Sequence, residues 1–176
     1  MTHFKYIYII GLLLLMTTLV GCPGEVDCND LAAIAKKENL IKIFPLQSTY
    51  NQGDIITLKV DIPSTNNYYG NQVDLFGQTN DNSALLITNS LLFQNNQLTF
   101  IKGSQGSNIN WFEIPYNSVT GNYELEVKIK LNRVGFYSII SADYFEFQGS
   151  DKCNRFRLDT NIEGVNNQGK IEFTVQ

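Results

Sequence analysis

Residues Tyr123 to Leu131 alternate between apolar and charged side chains: Tyr123, Leu125, Val127, Ile129 and Leu131 form one set, Glu124, Glu126, Lys128 and Lys130 the other. A period of two belongs to a β-strand with one face buried and one in water; a helix would mix the two sets. The pattern also fixes register, because a slip of one residue would turn every apolar side chain outward. It predicts Leu125, Val127 and Ile129 inside and Glu126 and Lys128 outside. Ile55 to Ile62 repeats the pattern, with Ile56, Leu58, Val60 and Ile62 as its apolar face, and Pro63 stops it.

Shorter segments of the same kind recur, separated by turns rich in Gly, Asn, Pro or Ser. Leu40 to Phe44 ends at Pro45. Gln72 to Phe76 reads as a short strand. Ala84 to Phe93 and Gln97 to Lys102 read as a hairpin turning at Gln94-Asn95-Asn96. Trp111, Phe112 and Ile114 occupy the next strand, and Gly135 to Ser141, Tyr144 to Phe147, Asn154 to Asp159 and Lys170 to Val175 follow. No long helical periodicity interrupts them. About nine or ten short antiparallel strands therefore predict an all-β sandwich or barrel.

The N-terminus carries processing information. Lys5, the apolar run Ile7 to Val20 and the small Gly21 are the three parts of a secretory signal. Leu19-Val20-Gly21-Cys22 resembles the lipobox of bacterial lipoproteins. The resemblance implies cleavage before Cys22, acylation of its thiol, and a membrane as the first partner. Residues 1–21 are then the signal peptide, 22–39 a tether with a short helix, and 40–176 the β-domain. The alternative is an uncleaved anchor, but the apolar run is shorter than the roughly 20 residues a spanning helix needs. Pro23 differs from the aspartate associated with inner-membrane retention in enteric bacteria, so the resemblance implies the outer membrane where the source has one. In the tether, Asn29 or Asp30 is placed to cap a helical turn with Leu31, Ile34 and Ala35 on one face.

Cleavage would remove Lys5 and no acid, so 13 basic residues become 12 against 17 acidic, a net charge of −5. Nucleic acid is an unsuitable partner for such a chain, since phosphate binding needs a basic face. With Cys22 given to lipid, Cys28 and Cys153 remain as a pair in an oxidising compartment, where a disulfide is the usual outcome. Two free thiols or a metal site are the alternatives, and zinc would need further Cys or His ligands. The only histidine, His3, lies in the signal. The mature chain therefore has no Ser-His-Asp triad and no Cys-His pair. Gly103-Ser104-Gln105-Gly106 lacks the lysine of a phosphate loop. No cofactor is expected.

Gly121-Asn122-Tyr123 and Gly135-Phe136-Tyr137 resemble the Gly-x-Tyr turn into a strand of immunoglobulin-like domains, and Tyr50 to Leu58 resembles a strand opening of bacterial members of that fold. The resemblance implies an immunoglobulin-like β-sandwich in which Tyr123 or Tyr137 bonds back to the backbone at a corner. Tyr50, Tyr68, Tyr69 and Trp111 are the aromatic candidates for ligand binding, since rings pack on sugar C–H faces while Asn and Gln bond hydroxyls. Trp111 is also the natural core filler. Glu113 is the candidate catalytic acid, though no second carboxylate is singled out to pair with it. Asp74, Asp81 and Asp143 are candidate calcium ligands but have no EF-hand spacing, and isolated loop aspartates usually form turns. The resulting expectation is a membrane-anchored, non-enzymatic binding or assembly component of the cell envelope, with an envelope protein or glycan as partner. The alternatives are a carbohydrate-binding accessory lipoprotein and a small carboxylate-dependent hydrolase.

Overall fold

The computed structural model describes residues 32–88, 91–149 and 154–176. The signal segment, Cys22, Cys28, the cap candidates Asn29 and Asp30, and Cys153 lie outside the described residues.

The architecture is all-β. The longest ladder joins β4 (Ile55–Pro63) to β11 (Asn122–Lys130) in antiparallel register, from Asn122 opposite Pro63 to Lys130 opposite Ile55. β2 (Ile41–Phe44) flanks β4, and β8 (Gln97–Lys102) flanks β11. This leaf keeps its alternation: Ile56, Leu58, Val60 and Ile62 are buried from one strand, Leu125, Val127 and Ile129 from the other. Lys128 is exposed as the alternation requires, whereas Glu126, expected outside, is half-buried.

The second leaf runs β1 (Ala33–Lys36), β14 (Arg155–Thr160), β13 (Asp143–Gln148), β7 (Ser83–Ile87) and β10 (Trp111–Asn117), with β9 (Ser104–Gln105) on β10. β10 belongs to both leaves. Trp111 to Pro115 pair with β7, whereas Tyr116 and Asn117 pair with β11. The change of partner falls at Pro115, which has no N–H to give a ladder; Tyr116 N–H donates instead to Asn82 O at 3.0 Å. A strand that switches leaves makes a corner, and the inner faces of both leaves meet in one apolar core. A small third sheet, β12 (Gly135–Ile140), β15 (Lys170–Val175) and β3 (Thr49–Tyr50), adds Tyr137, Ile139, Ile171, Phe173 and Val175 to that core. Among the described residues no helix is long and apolar enough to cross a membrane.

Several expectations need correction. The sheets are mixed, not purely antiparallel: β1 runs parallel to β14, and β3 parallel to β15. The expected helix around Ile34 and Ala35 is the edge strand β1. One apolar turn of helix gains little without a surface to pack on, whereas the edge of β14 offers unpaired backbone groups. Gln72 to Phe76 is only half strand. β6 (Val73–Asp74), paired with β5 (Thr65–Asn66), gives way to the helix α1 (Leu75–Thr79), because the Asp74 carboxylate caps it by accepting from Gly77 N–H at 3.1 Å. The hairpin of Ala84–Phe93 with Gln97–Lys102 is absent. β7 ends at Ile87, Leu92 and Phe93 fill the core from a turn, and β8 pairs with β11. Glu124, expected in solvent, is 8% exposed. Its carboxylate accepts from Lys102 Nζ at 2.6 Å, Thr120 Oγ1 at 3.0 Å and Asn117 Nδ2 at 3.2 Å, which ties the β10–β11 turn to β8.

Candidate functional site

The outward face of the second leaf is where chemistry-bearing side chains gather. Paired residues on neighbouring strands share a face, so the register reads off two rows. The first is Trp111, Ile87, Tyr144, Asp159 and Lys36; the second is Glu113, Leu85, Glu146, Arg157 and Ile34. Of the opposite set, Ala84, Leu86, Phe112, Ile114, Phe145 and Phe147 are fully buried.

Trp111 thus corrects the expectation of a core tryptophan. It is 37% exposed, and Phe112 next to it takes the interior, 4.7 Å from the ring of Phe93. Tyr144 is two strands away with Ile87 between them. The Arg157 guanidinium lies 3.9 Å over the Tyr144 ring, and its Nε donates to Asp159 Oδ1 at 2.7 Å. The cation stands over the ring, and the Asp159 carboxylate fixes it there. Glu113 accepts from Ser104 Oγ at 2.7 Å and stands exposed beside Trp111.

The first row runs into a half-open cleft of about 410 Å³, whose lining includes Tyr144, Arg157, Asp159, Asp143, Thr160 and Asn161. The cleft lies where the ladder from β12–β15 to β13–β14 is interrupted: Ser141 and Ala142 separate β12 from β13, and residues 161–169 separate β14 from β15. Ser141 bridges this break. Its hydroxyl donates to Asp143 Oδ2 at 2.5 Å and accepts from Ile162 N–H at 2.7 Å. Asp143 is 2% exposed, and its Oδ1 has no hydrogen-bond partner among the described residues. Burial pushes its carboxyl above the usual carboxylate range, opposed by the hydroxyls of Ser141 and Thr88.

The other sequence candidates do not join this site. Tyr50 is buried; its hydroxyl donates to Pro45 O at 2.6 Å and its ring meets Phe173 edge-on at 5.1 Å. Tyr68 and Tyr69 are half-buried against the core, with the Tyr69 ring edge-on to Phe156 at 5.2 Å. Of the two corner candidates, Tyr137 makes the local bond, donating to Arg133 O at 3.0 Å, while Tyr123 reaches Asp81 O at 2.8 Å across the chain. Asp74 caps α1. The Asp81 carboxylate accepts from Ser83 N–H at 3.0 Å and Gln148 N–H at 2.8 Å, pinning the start of β7 to β13.

Tyr144, Ile87 and Arg157 were not singled out from the sequence. A signal existed in Leu85 and Ile87. They make β7 apolar on both faces, which an edge or half-solvated strand avoids. No family model and no curated protein matches this sequence.

Proposed function

We propose that the chain is a lipid-anchored, non-enzymatic binding protein of the bacterial cell envelope, which meets its partner through the outward face of the β14–β13–β7–β10 leaf. One observation carries the reading. The single tryptophan is held outward in line with Ile87 and Tyr144, on strands whose other faces already fill the core. An apolar strip rimmed by Glu113, Glu146 and Arg157 is the composition of a binding surface, since solvent alone gives no reason to retain it.

The lipobox supports residues 1–21 as signal and Cys22 as the acylated residue, with the outer membrane as destination where the source has one. The two leaves around one core and the Tyr137 corner bond support an immunoglobulin-like sandwich as the finer description of the fold. In this reading the partner is extracytoplasmic, and the tether keeps the face near the membrane. Cys22→Ser is expected to leave an unprocessed, unlipidated precursor, read by mass spectrometry of the N-terminus. Lipid found elsewhere, or a mature N-terminus other than Cys22, refutes the anchor. A photo-crosslinking residue in place of Ile87, activated in intact cells, is expected to give a discrete adduct, while the same residue in place of Lys128 gives none.

A further inference from the structure

We infer that this face takes a neutral, extended glycan lying across the strands, with one sugar ring on Trp111 and the chain continuing over Ile87 and Tyr144 into the cleft. The inference names the ligand of the surface proposed above and rests on that proposal.

Spacing is the first support. Trp111 and Tyr144 are two strands apart in register, which is about 9.5 Å at ordinary strand separation. That span is comparable to the disaccharide repeat of an extended β-linked chain, so the two rings meet alternate sugars, which present the same face. Aromatic faces suit the C–H faces of such rings, and at Tyr144 the ring face that Arg157 does not cover is the one open to a sugar.

Charge is the second. Two ion pairs already stand at the cleft: Lys36 Nζ with Glu38 Oε1 at 3.0 Å, and Arg157 Nε with Asp159 Oδ1 at 2.7 Å. An acidic or basic ligand would have to compete with these internal pairs. A polyol needs only donors and acceptors. Thr160 and Asn161 are already bonded to Leu40, Asn39 and Ile162, and Arg157, whose Nε goes to Asp159, brings further N–H groups to the cleft.

The third is Asp143. A buried carboxyl oxygen without a partner is costly, and this one belongs to a residue lining the cleft into which the row runs. A sugar hydroxyl is a neutral donor that suits such an acceptor without bringing a second charge, and because the oxygen is shut off from the cleft surface, contact with it requires the lining to shift.

The test uses the mature lipoprotein in a non-glycosidic detergent, titrated with β-1,4-linked oligosaccharides of glucose, xylose or mannose. Trp111 emission reports contact without ambiguity because the chain has no other tryptophan, and calorimetry reports affinity. At least one neutral oligosaccharide is expected to shift the emission. Trp111→Ala and Tyr144→Ala should each weaken binding by about tenfold or more, as loss of an aromatic anchor does. Phe136→Ala, an exposed aromatic on β12, should leave it unchanged. Tighter binding of a uronic-acid oligosaccharide overturns the inference. So does calorimetric binding that survives both substitutions, or no binding by any neutral glycan with the fold intact by circular dichroism. In that last case the crosslinker at position 87 separates the two levels: a discrete protein adduct keeps the binding face and discards the glycan, and no adduct discards both.

Discussion

The two leaves share an inner face and differ on the outer one. Inside, each contributes alternate Ile, Leu, Val and Phe side chains to the same core. Outside, β2–β4–β11 presents Lys42, Lys59, Asp61, Glu126 and Lys128 together with the exposed Phe44 and Ile55, whereas β10–β7–β13 presents the exposed Trp111 in register with half-buried Leu85, Ile87 and Tyr144. The charged leaf also carries the larger recess, about 560 Å³, whose lining includes Lys42, Phe44, Lys59, Asp61 and Asn122. Its polar groups bond to one another or to neighbours: Asn122 Nδ2 donates to Asp61 Oδ1 at 2.7 Å, and Lys42 pairs with Glu163 at 3.6 Å. Volume alone therefore does not mark the site. A row of apolar and aromatic residues paired across neighbouring strands says more than a hollow or than single exposed side chains such as Phe44 and Ile55.

The sharpest way to break the comparison is through the shared core. Leu125→Ala should cost about 2–5 kcal/mol in a denaturant titration, since a fully buried leucine leaves a cavity. Glu126→Ala on the outer side of the same strand should change stability by about 0.5 kcal/mol or less. Equal effects would mean that the register is wrong.

The edge of the binding leaf gives the next effect. β1 pairs in parallel with β14, with Ala33 opposite Phe156. Cys28 precedes Ala33 by five positions (33 − 28), and Cys153 precedes Phe156 by three (156 − 153). The two strands run parallel, so the segments that carry the cysteines, themselves outside the described residues, enter the pair from the same end; a disulfide requires Cα atoms within ~7 Å. This register supports the proposed Cys28–Cys153 bridge. Cys28→Ser and Cys153→Ser should each lose about 2–5 kcal/mol, with the double variant no worse than either. Two reactive thiols in folded, oxidised protein would falsify the bridge.

Acid–base behaviour separates the leaves by sign. On the charged leaf, Lys102, with help from Asn117 and Thr120, holds the Glu124 carboxyl below its usual range against the cost of burial. Its contribution is present above the unfolded carboxylate pKa and is lost as pH falls through the depressed folded value. Asp143 on the binding leaf is raised by burial, so its contribution is full below the unfolded pKa and declines as pH rises through the folded value. Denaturation midpoints measured across acidic pH should show Glu124→Gln removing part of the acid-side loss and Asp143→Asn removing part of the fall on the rising side. The same direction in both variants would contradict the assignment.

The smallest effect on stability, and the one that sharpens the comparison most, belongs to Trp111. Trp111→Ala should shift the unfolding midpoint by far less than Leu125→Ala, because the indole is partly in water already, yet it should abolish the contact made by the face. A loss as large as that of Leu125→Ala would return Trp111 to the core.

Local pattern was enough for the β4–β11 ladder. Ile56, Leu58, Val60, Leu125, Val127 and Ile129 are buried where the alternation put them, because burying one face of a strand leaves a single register open. It was not enough wherever a partner distant in sequence decides. Residues 33–36 became a strand because β14 offers an edge more than 120 positions later, at Phe156 to Asp159. Leu85 and Ile87 became a surface because β10 and β13, not another layer, flank β7. Trp111 faces outward because its neighbour Phe112 fits between Phe93 and Phe100, and a strand can turn only one of two adjacent rings inward. The sequence by itself determined that the chain is built of half-buried strands, and it carries the signal that proposes an anchor at Cys22. Only the tertiary structure decided which outward residues stand together, since strand pairing across long separations sets that, and no local periodicity records it.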